Sequence, residues 1–175
     1  MIEIRDARQA DVPAITELAN ALISTTTYTW TERLEPVEER AAWMVARQAA
    51  GFPVLVAVEV GSGDGEVVGW ASFGDFRDTA RTPGYLITVE LTVHVRQDRW
   101  GHGVGRALID ALDERAVAMG KKVMIAGVDG SNERSIRFHE RLGFVETARM
   151  PGVGEKWGHR LDLVMLQRDV AAARR

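Results

Sequence analysis

Apolar residues recur along the chain in two periods, and their alternation sets the expected order of elements. Ile2 to Ala7 reads as a short edge strand. Val12, Ile15, Leu18, Ala19, Leu22 and Ile23 then fall three and four apart behind Asp11, an N-cap residue type, which predicts an amphipathic helix. A second helix is expected from about Pro36, through Val37, Ala41, Met44 and Val45, to Gly51, with Ser24 to Glu35 as a polar loop between the two. Pro53 to Val60 and Val67 to Phe76 are apolar runs on either side of Gly61-Ser62-Gly63-Asp64-Gly65, turn chemistry that predicts an antiparallel hairpin.

Tyr85 to Val95 is rich in β-branched residues and predicts a strand; after Arg96-Gln97-Asp98 a glycine cluster opens a helix bearing Val104, Leu108, Ala111, Leu112 and Ala116. Val123 to Val128 is continuously apolar, as expected of a strand covered on both faces. Asn132 then starts a helix that carries Ile136 and Leu142 and stops at Gly143. Phe144 to Arg149 and Leu161 to Arg168 read as two closing strands around a polar loop. The succession of strand, helix, strand, helix predicts an α/β chain.

Composition narrows the class. With 175 residues and 46% apolar content the chain has enough material for one core, so a single domain over residues 1–170 with a frayed tail at 171–175 is expected. The absence of cysteine excludes disulfides, a thiolate nucleophile and cysteine-based zinc sites, and no His/Asp/Glu spacing suggests a metal site. A net charge of -3 argues against nucleic acid as the main partner. No apolar stretch approaches the roughly 20 residues that span a bilayer, and the charges in Met1-Ile2-Glu3-Ile4-Arg5 are unlike a signal peptide, so a cytoplasmic protein is expected.

The segment richest in chemistry is Trp100-Gly101-His102-Gly103-Val104-Gly105-Arg106. A glycine turn between strand and helix exposes backbone N–H groups at the positive end of the helix dipole, which suits phosphate oxygens. It lacks the Gly-x-Gly-x-x-Gly spacing of a dinucleotide turn and the Gly-Lys-Ser/Thr of a P-loop. A tight connection with no ligand is the plain alternative.

The flanks decide against that alternative. Val93-His94-Val95, then Gly101 to Arg106, then Asn132 to Phe144 resemble the acetyl-CoA-binding core of the GNAT superfamily of N-acetyltransferases. Over nearly its whole length the chain is similar to the phosphinothricin and methionine sulfoximine/sulfone acetyltransferases. The matching segments are Phe52 to Ala57, Ala71-Ser72-Phe73, Thr88-Val89-Glu90, Ser135 to Glu140 and Gly154 to Gly158.

The resemblance implies a GNAT fold, a splayed mixed β-sheet of six to seven strands flanked by about four helices, with acetyl-CoA held in the opening. It implies that pantetheine pairs with the backbone of Val93, His94 and Val95, that pyrophosphate lies on Gly101, His102, Gly103, Val104, Gly105 and Arg106, and that Asn132 and Ser135 approach the pantetheine or thioester end. It marks Glu90 as general base and His139 as proton donor to the departing thiolate, while His94 and His102 are weaker candidates for chemistry. For the acceptor it points to Arg77, Gly84, Tyr85 and Lys156, a guanidinium being the natural partner of an amino-acid carboxylate. A cytoplasmic homodimer and a small-molecule amine substrate complete that picture.

Each assignment has a structural rival: Asn132 is also a good N-cap, His139 can simply pack, and Arg77 and Lys156 can be surface residues. The sequence departs from its relatives at Trp100, where glutamine or arginine is usual, at Leu86 and Arg160, and in a longer Asp78–Pro83 stretch. The leading expectation is direct transfer of an acetyl group to the α-amine of phosphinothricin, methionine sulfoximine or methionine sulfone. A GNAT enzyme for another amine and a non-catalytic acyl-CoA sensor are the alternatives.

Overall fold

A computed structural model describes residues 1–61 and 65–170. The centre of the expected hairpin turn, Ser62 to Asp64, and the expected frayed tail, 171–175, lie outside the described residues.

The chain folds as α1 Val12–Thr25, α2 Val37–Ala49, α3 Val104–Ala118 and α4 Glu133–Arg141, with strands β1 Ile2–Asp6, β2 Val54–Glu59, β3 Glu66–Asp75, β4 Thr88–Val95, β5 Val123–Asp129, β6 Val145–Lys156 and β7 His159–Asp169. The strands are hydrogen-bonded in the order β1-β2-β3-β4-β5-β7-β6. Mixed α/β architecture, strand number and helix number all agree with the expected GNAT fold. The chain divides into two compact units, each assembled from three stretches: Met1–Ala21, Glu35–Gly74 and Thr92–Arg115 in the first, Leu22–Leu34, Asp75–Leu91 and the chain from Ala116 on in the second.

In the first unit β2 pairs antiparallel with β1 and with β3. Val54, Val56 and Val58 of β2 and Trp70 of β3 pack with Ile15 and Ala19 of α1 and Met44 of α2, the faces their spacing predicted. Burying side chains such as Ile15 contributes roughly 1.5–3 kcal/mol each. Asp11 does not act as a simple N-cap. Its carboxylate accepts from both guanidinium ends of Arg5 at 2.7 and 2.8 Å and from the backbone N–H of Arg8 at 2.7 Å, locking β1 onto the start of α1.

In the second unit β5 pairs antiparallel with β7 along its length, and β7 with β6. The parallel pairing of β4 to β5 is confined to Thr88, Val89 and Glu90 against Val123, Met124 and Ile125. Met124, Ala126, Val128, Ile136, Phe144, Val164 and Leu166 are buried here. The expected polar loop after Arg149 is instead mostly strand, since β6 runs on to Lys156 and turns through Trp157-Gly158. Pro151, Gly152 and Gly154 disguise it: the register shifts between Met150 and Gly154, a bulge that absorbs residues unable to pair regularly.

Candidate active site

The glycine turn belongs to the first unit. Gly101 and Gly103 adopt φ of 82° and 83°, which side chains rarely tolerate, and nothing lies within 4 Å of where a Cβ would stand on either. Val104 to Arg106 form the first turn of α3, where backbone N–H groups have no intrahelical acceptor. The result is an open, exposed surface of donors at a helix N-terminus. Trp100 braces it: its indole Nε1 donates to the Val95 carbonyl at 2.7 Å.

The end of β4 carries the other expected cofactor contacts. Arg96 N–H donates to Val68 O of β3, so strand alternation turns the backbone groups of Val93 and Val95 away from β3. His94 differs. Its carbonyl lies 3.0 Å from the Cβ position of Gly69 on β3, so its backbone serves the β3 side rather than an added partner. Its ring packs edge-on to Trp70, centroids 4.8 Å apart, with Nδ1 buried and unpartnered. Burial, helped by the Arg40 charge, lowers its pKa to about 4, so the ring is neutral at pH 7. His102 is exposed on the turn, as is Arg106.

Glu90 lies in the second unit, exposed at the point where β4–β5 pairing ends. Desolvation of its carboxylate raises its pKa, and the positive charge of Arg77 opposes the rise. Its Oε1 is 3.1 Å from the Cβ position of Gly127, an exposed glycine within β5. Gly127 was missed among the apolar residues of Val123 to Val128, although a glycine inside a strand is a recognised sign of close approach.

Arg77 is exposed, its guanidinium 4.3 Å from the Phe76 ring centroid, and Phe76 meets Tyr85 edge-to-face at 5.9 Å. The two expected acceptor residues thus share one aromatic support. Gly84 lies in the Pro83–Tyr85 3-10 turn, with open space around its Cβ position. The longer 78–83 stretch is held by itself: Asp78 Oδ1 accepts from the N–H of Ala80 and Arg81, and its carbonyl accepts from Thr82.

Asn132 caps α4, its side chain accepting from Ser135 N–H at 3.1 Å. His139 is 3% exposed and flanked edge-on by Phe138 and Phe144. Its Nδ1 bonds the Ser135 carbonyl at 2.8 Å, and Nε2 is buried without a partner. Burial lowers its pKa, the Ser135 carbonyl opposes, and the Arg168 charge adds to the fall. A neutral, sealed imidazole is poorly placed to deliver a proton, so the geometry favours the packing alternative.

Lys156, expected against the acceptor, is 1% exposed. Its three N–H groups are spent on the carbonyls of Ile23, Thr26 and Thr29 at 2.7, 2.7 and 2.9 Å. Desolvation lowers its pKa while Glu32 opposes. It is a strut for the segment after α1. Trp30 of that segment donates from Nε1 to buried Asp129 at 3.2 Å and covers Gly154, where a Cβ would lie 2.3 Å from its ring. Trp30 also escaped the sequence reading, having no periodic partner inside a polar loop. Arg160 has a local use: its guanidinium donates twice to the Gly152 carbonyl in the β6 bulge.

An open donor surface at a helix start, a strand edge turned away from its β3 neighbour and an exposed carboxylate with a raised pKa are what an acyl-CoA-dependent amine acetyltransferase requires. A family model described as acetyltransferase (GNAT) family matches residues 15–144. The chain belongs to this family. It is 44% identical over 164 residues to an L-methionine sulfoximine/L-methionine sulfone acetyltransferase of Salmonella typhimurium (94% of this chain, 92% of that one). It is 43% identical over 166 residues to an L-amino acid N-acyltransferase of Escherichia coli K12 (95% and 92%). A Salmonella typhimurium acetyltransferase solved with its cofactor acetyl-CoA superposes with a TM-score of 0.89 at 43% identity, covering 97% of this chain and 94% of that one. The GNAT enzyme described here is an acyltransferase that uses acetyl-CoA, and its open turn at Gly101 and Gly103 fits a pyrophosphate. Among the described residues no helix is long and apolar enough to cross a membrane, and no group of three metal-ligating His, Asp or Glu side chains is gathered.

Proposed function

We propose that this acetyltransferase acetylates the α-amine of a small L-amino-acid analogue, with methionine sulfone, methionine sulfoximine and phosphinothricin as the acceptor class, by direct transfer in a ternary complex. The observation that carries the reading is the Glu90–Arg77 arrangement in one unit: a desolvated, exposed carboxylate whose charge is tuned by an exposed guanidinium. The names of the two close relatives support the acceptor class.

Bound acetyl-CoA supplies an electrophilic thioester. In the first unit, the residues that hold it in this reading are Val93 through its backbone and Gly101 to Arg106 through backbone N–H groups. An amino acid arrives as an ammonium ion and must lose a proton before its nitrogen can attack. Glu90, with a pKa above the ordinary carboxylate value, accepts that proton, through a water where the amine is not in direct contact. Arg77 orients the acceptor by pairing with its carboxylate, and Tyr85 and Gly84 line the same approach. As the N–C bond forms the C–S bond breaks, the sulfur keeps the electron pair, the nitrogen gives its second proton to solvent to leave the neutral amide, and the thiolate takes a proton from solvent. His139 holds α4 instead of serving as that acid, and Lys156 holds the acceptor-side segment.

The interleaving of three stretches in each unit supports a single domain over residues 1–170. β6, at the end of the strand order, presents Val145 and Val153 to solvent and the turn after it presents Trp157, which supports a homodimer through this region. The experiment that tests the function is steady-state release of free thiol from acetyl-CoA with the three analogues, a polyamine and an N-terminal peptide. Turnover confined to the last two removes the acceptor class, and binding of acetyl-CoA without turnover on any of them removes the enzyme mechanism.

A further inference from the structure

The glycine at position 127 has no conformational reason to be there. Its φ is outside the left-handed region, unlike the glycines of the turns, so an alanine would fit the backbone without strain. What excludes a side chain is space. A Cβ would meet Glu90 Oε1 at 3.1 Å, Leu163 Cδ1 at 3.6 Å and Met165 Sδ at 3.8 Å. The last two are ordinary contacts; the first is tight enough that the carboxylate must move.

Register explains why these groups converge. Gly127 pairs with Met165 and Asp129 with Leu163 across β5 and β7, while Glu90 pairs with Ile125 across β4 and β5. Cross-strand partners share a face, so Glu90, Gly127, Met165 and Leu163 all point to one side of the sheet. Gly127 is exposed although β5 has strands on both sides, because β4 stops pairing at Glu90. The missing side chain therefore leaves a notch with a carboxylate at one wall and an isobutyl and a thioether at the other.

We propose that Gly127 is a specificity-determining residue: the notch it leaves admits the acceptor's α-amine, or the water that deprotonates it, against Glu90, and seats the first methylenes of its side chain against Leu163 and Met165. A polar amine and an apolar stem on adjacent atoms match that pairing of walls. This rests on the proposed role of Glu90.

The test compares the parent, Gly127→Ala and Leu163→Phe, the last narrowing the notch from β7 without altering β5. Methionine sulfone and glycine serve as a long and a minimal acceptor, with acetyl-CoA saturating. Both variants are expected to lose tenfold or more in kcat/KM for methionine sulfone, in line with the roughly 10–200-fold value of one methylene in a tight pocket. The loss for glycine is expected to be smaller, and melting temperature and acetyl-CoA binding stay at parental values. Gly127→Ala should also move the acid limb of kcat/KM to higher pH, since a methyl group further desolvates Glu90, a change that a purely structural role would not cause. Folded variants that acetylate methionine sulfone as fast as the parent overturn the proposal. If Gly127→Ala does not fold, Leu163→Phe decides alone, and equal losses for both acceptors from it overturn the proposal. A parent inactive on methionine sulfone, methionine sulfoximine and phosphinothricin removes the proposed function and this inference with it, whereas an active parent with indifferent variants removes the inference only.

Discussion

The indole of Trp100 donates to the carbonyl of Val95 at 2.7 Å, joining the first residue of the glycine turn to the last of β4. The rigid ring ties the turn to a strand carbonyl. Trp100→Phe keeps the ring and deletes the donor. A net hydrogen bond of about 1 kcal/mol corresponds to roughly a fivefold rise in KM for acetyl-CoA, with KM for the amine unchanged. Equal KM values for acetyl-CoA in parent and variant would show that the brace does not position the turn.

The Glu90–Arg77 pair predicts a pH profile. Desolvation raises the Glu90 pKa and Arg77 counters it, so removing the guanidinium must raise it further. For a general base, kcat/KM falls as pH drops through that pKa. Arg77→Gln is expected to displace the acid limb to higher pH and also to raise KM for the amino acid. A rise in KM with an unmoved limb would leave Arg77 as an acceptor contact with no influence on the base.

Lys156 predicts a stability effect with no change in proton chemistry. Methionine at this position fills similar space but leaves the carbonyls of Ile23, Thr26 and Thr29 without their shared donor. The expected cost is about 3 kcal/mol, or a fall in Tm of roughly 6–12 °C for a chain of this size. If Lys156→Met melts with the parent and loses only amine affinity, Lys156 is an acceptor ligand after all.

Acid sensitivity should come partly from His94. Its pKa is lowered from 6.5 to about 4 in the folded chain, so between these values the unfolded chain binds the additional proton. His94 therefore contributes stability in full above pH 6.5, and that stability is lost as pH falls towards 4. The loss is up to about 3 kcal/mol. His139, also lowered, adds in the same direction. His94→Phe keeps an aromatic ring against Trp70 and removes the titration; denaturant midpoints at pH 7 and pH 4.5 should lie closer together in the variant than in the parent.

Much of this was legible in the residues. Helical and strand periods located α1 to α4 and most of the sheet because each element buries one face and must repeat its apolar residues at that element's period. The glycine turn was legible for a related reason: positive φ next to a helix start is available almost only to glycine, so backbone geometry leaves its mark on residue type. The long β6 was hidden because Pro151, Gly152 and Gly154 obey the bulge, and the bulge exists only once β7 lies alongside.

By itself, then, the sequence determined the order of elements and the glycine turn, each a property of a local run of residues, while Glu90 was marked out by resemblance to the family. Tertiary structure alone decided what those side chains do. Three carbonyls of one segment converge on Lys156, two phenylalanine rings close over His139, and Glu90 finds itself across the strands from a glycine. Burial and charge depend on neighbours distant in sequence, so pKa, hydrogen-bond satisfaction and free space around a side chain are set only when the strands have found their register.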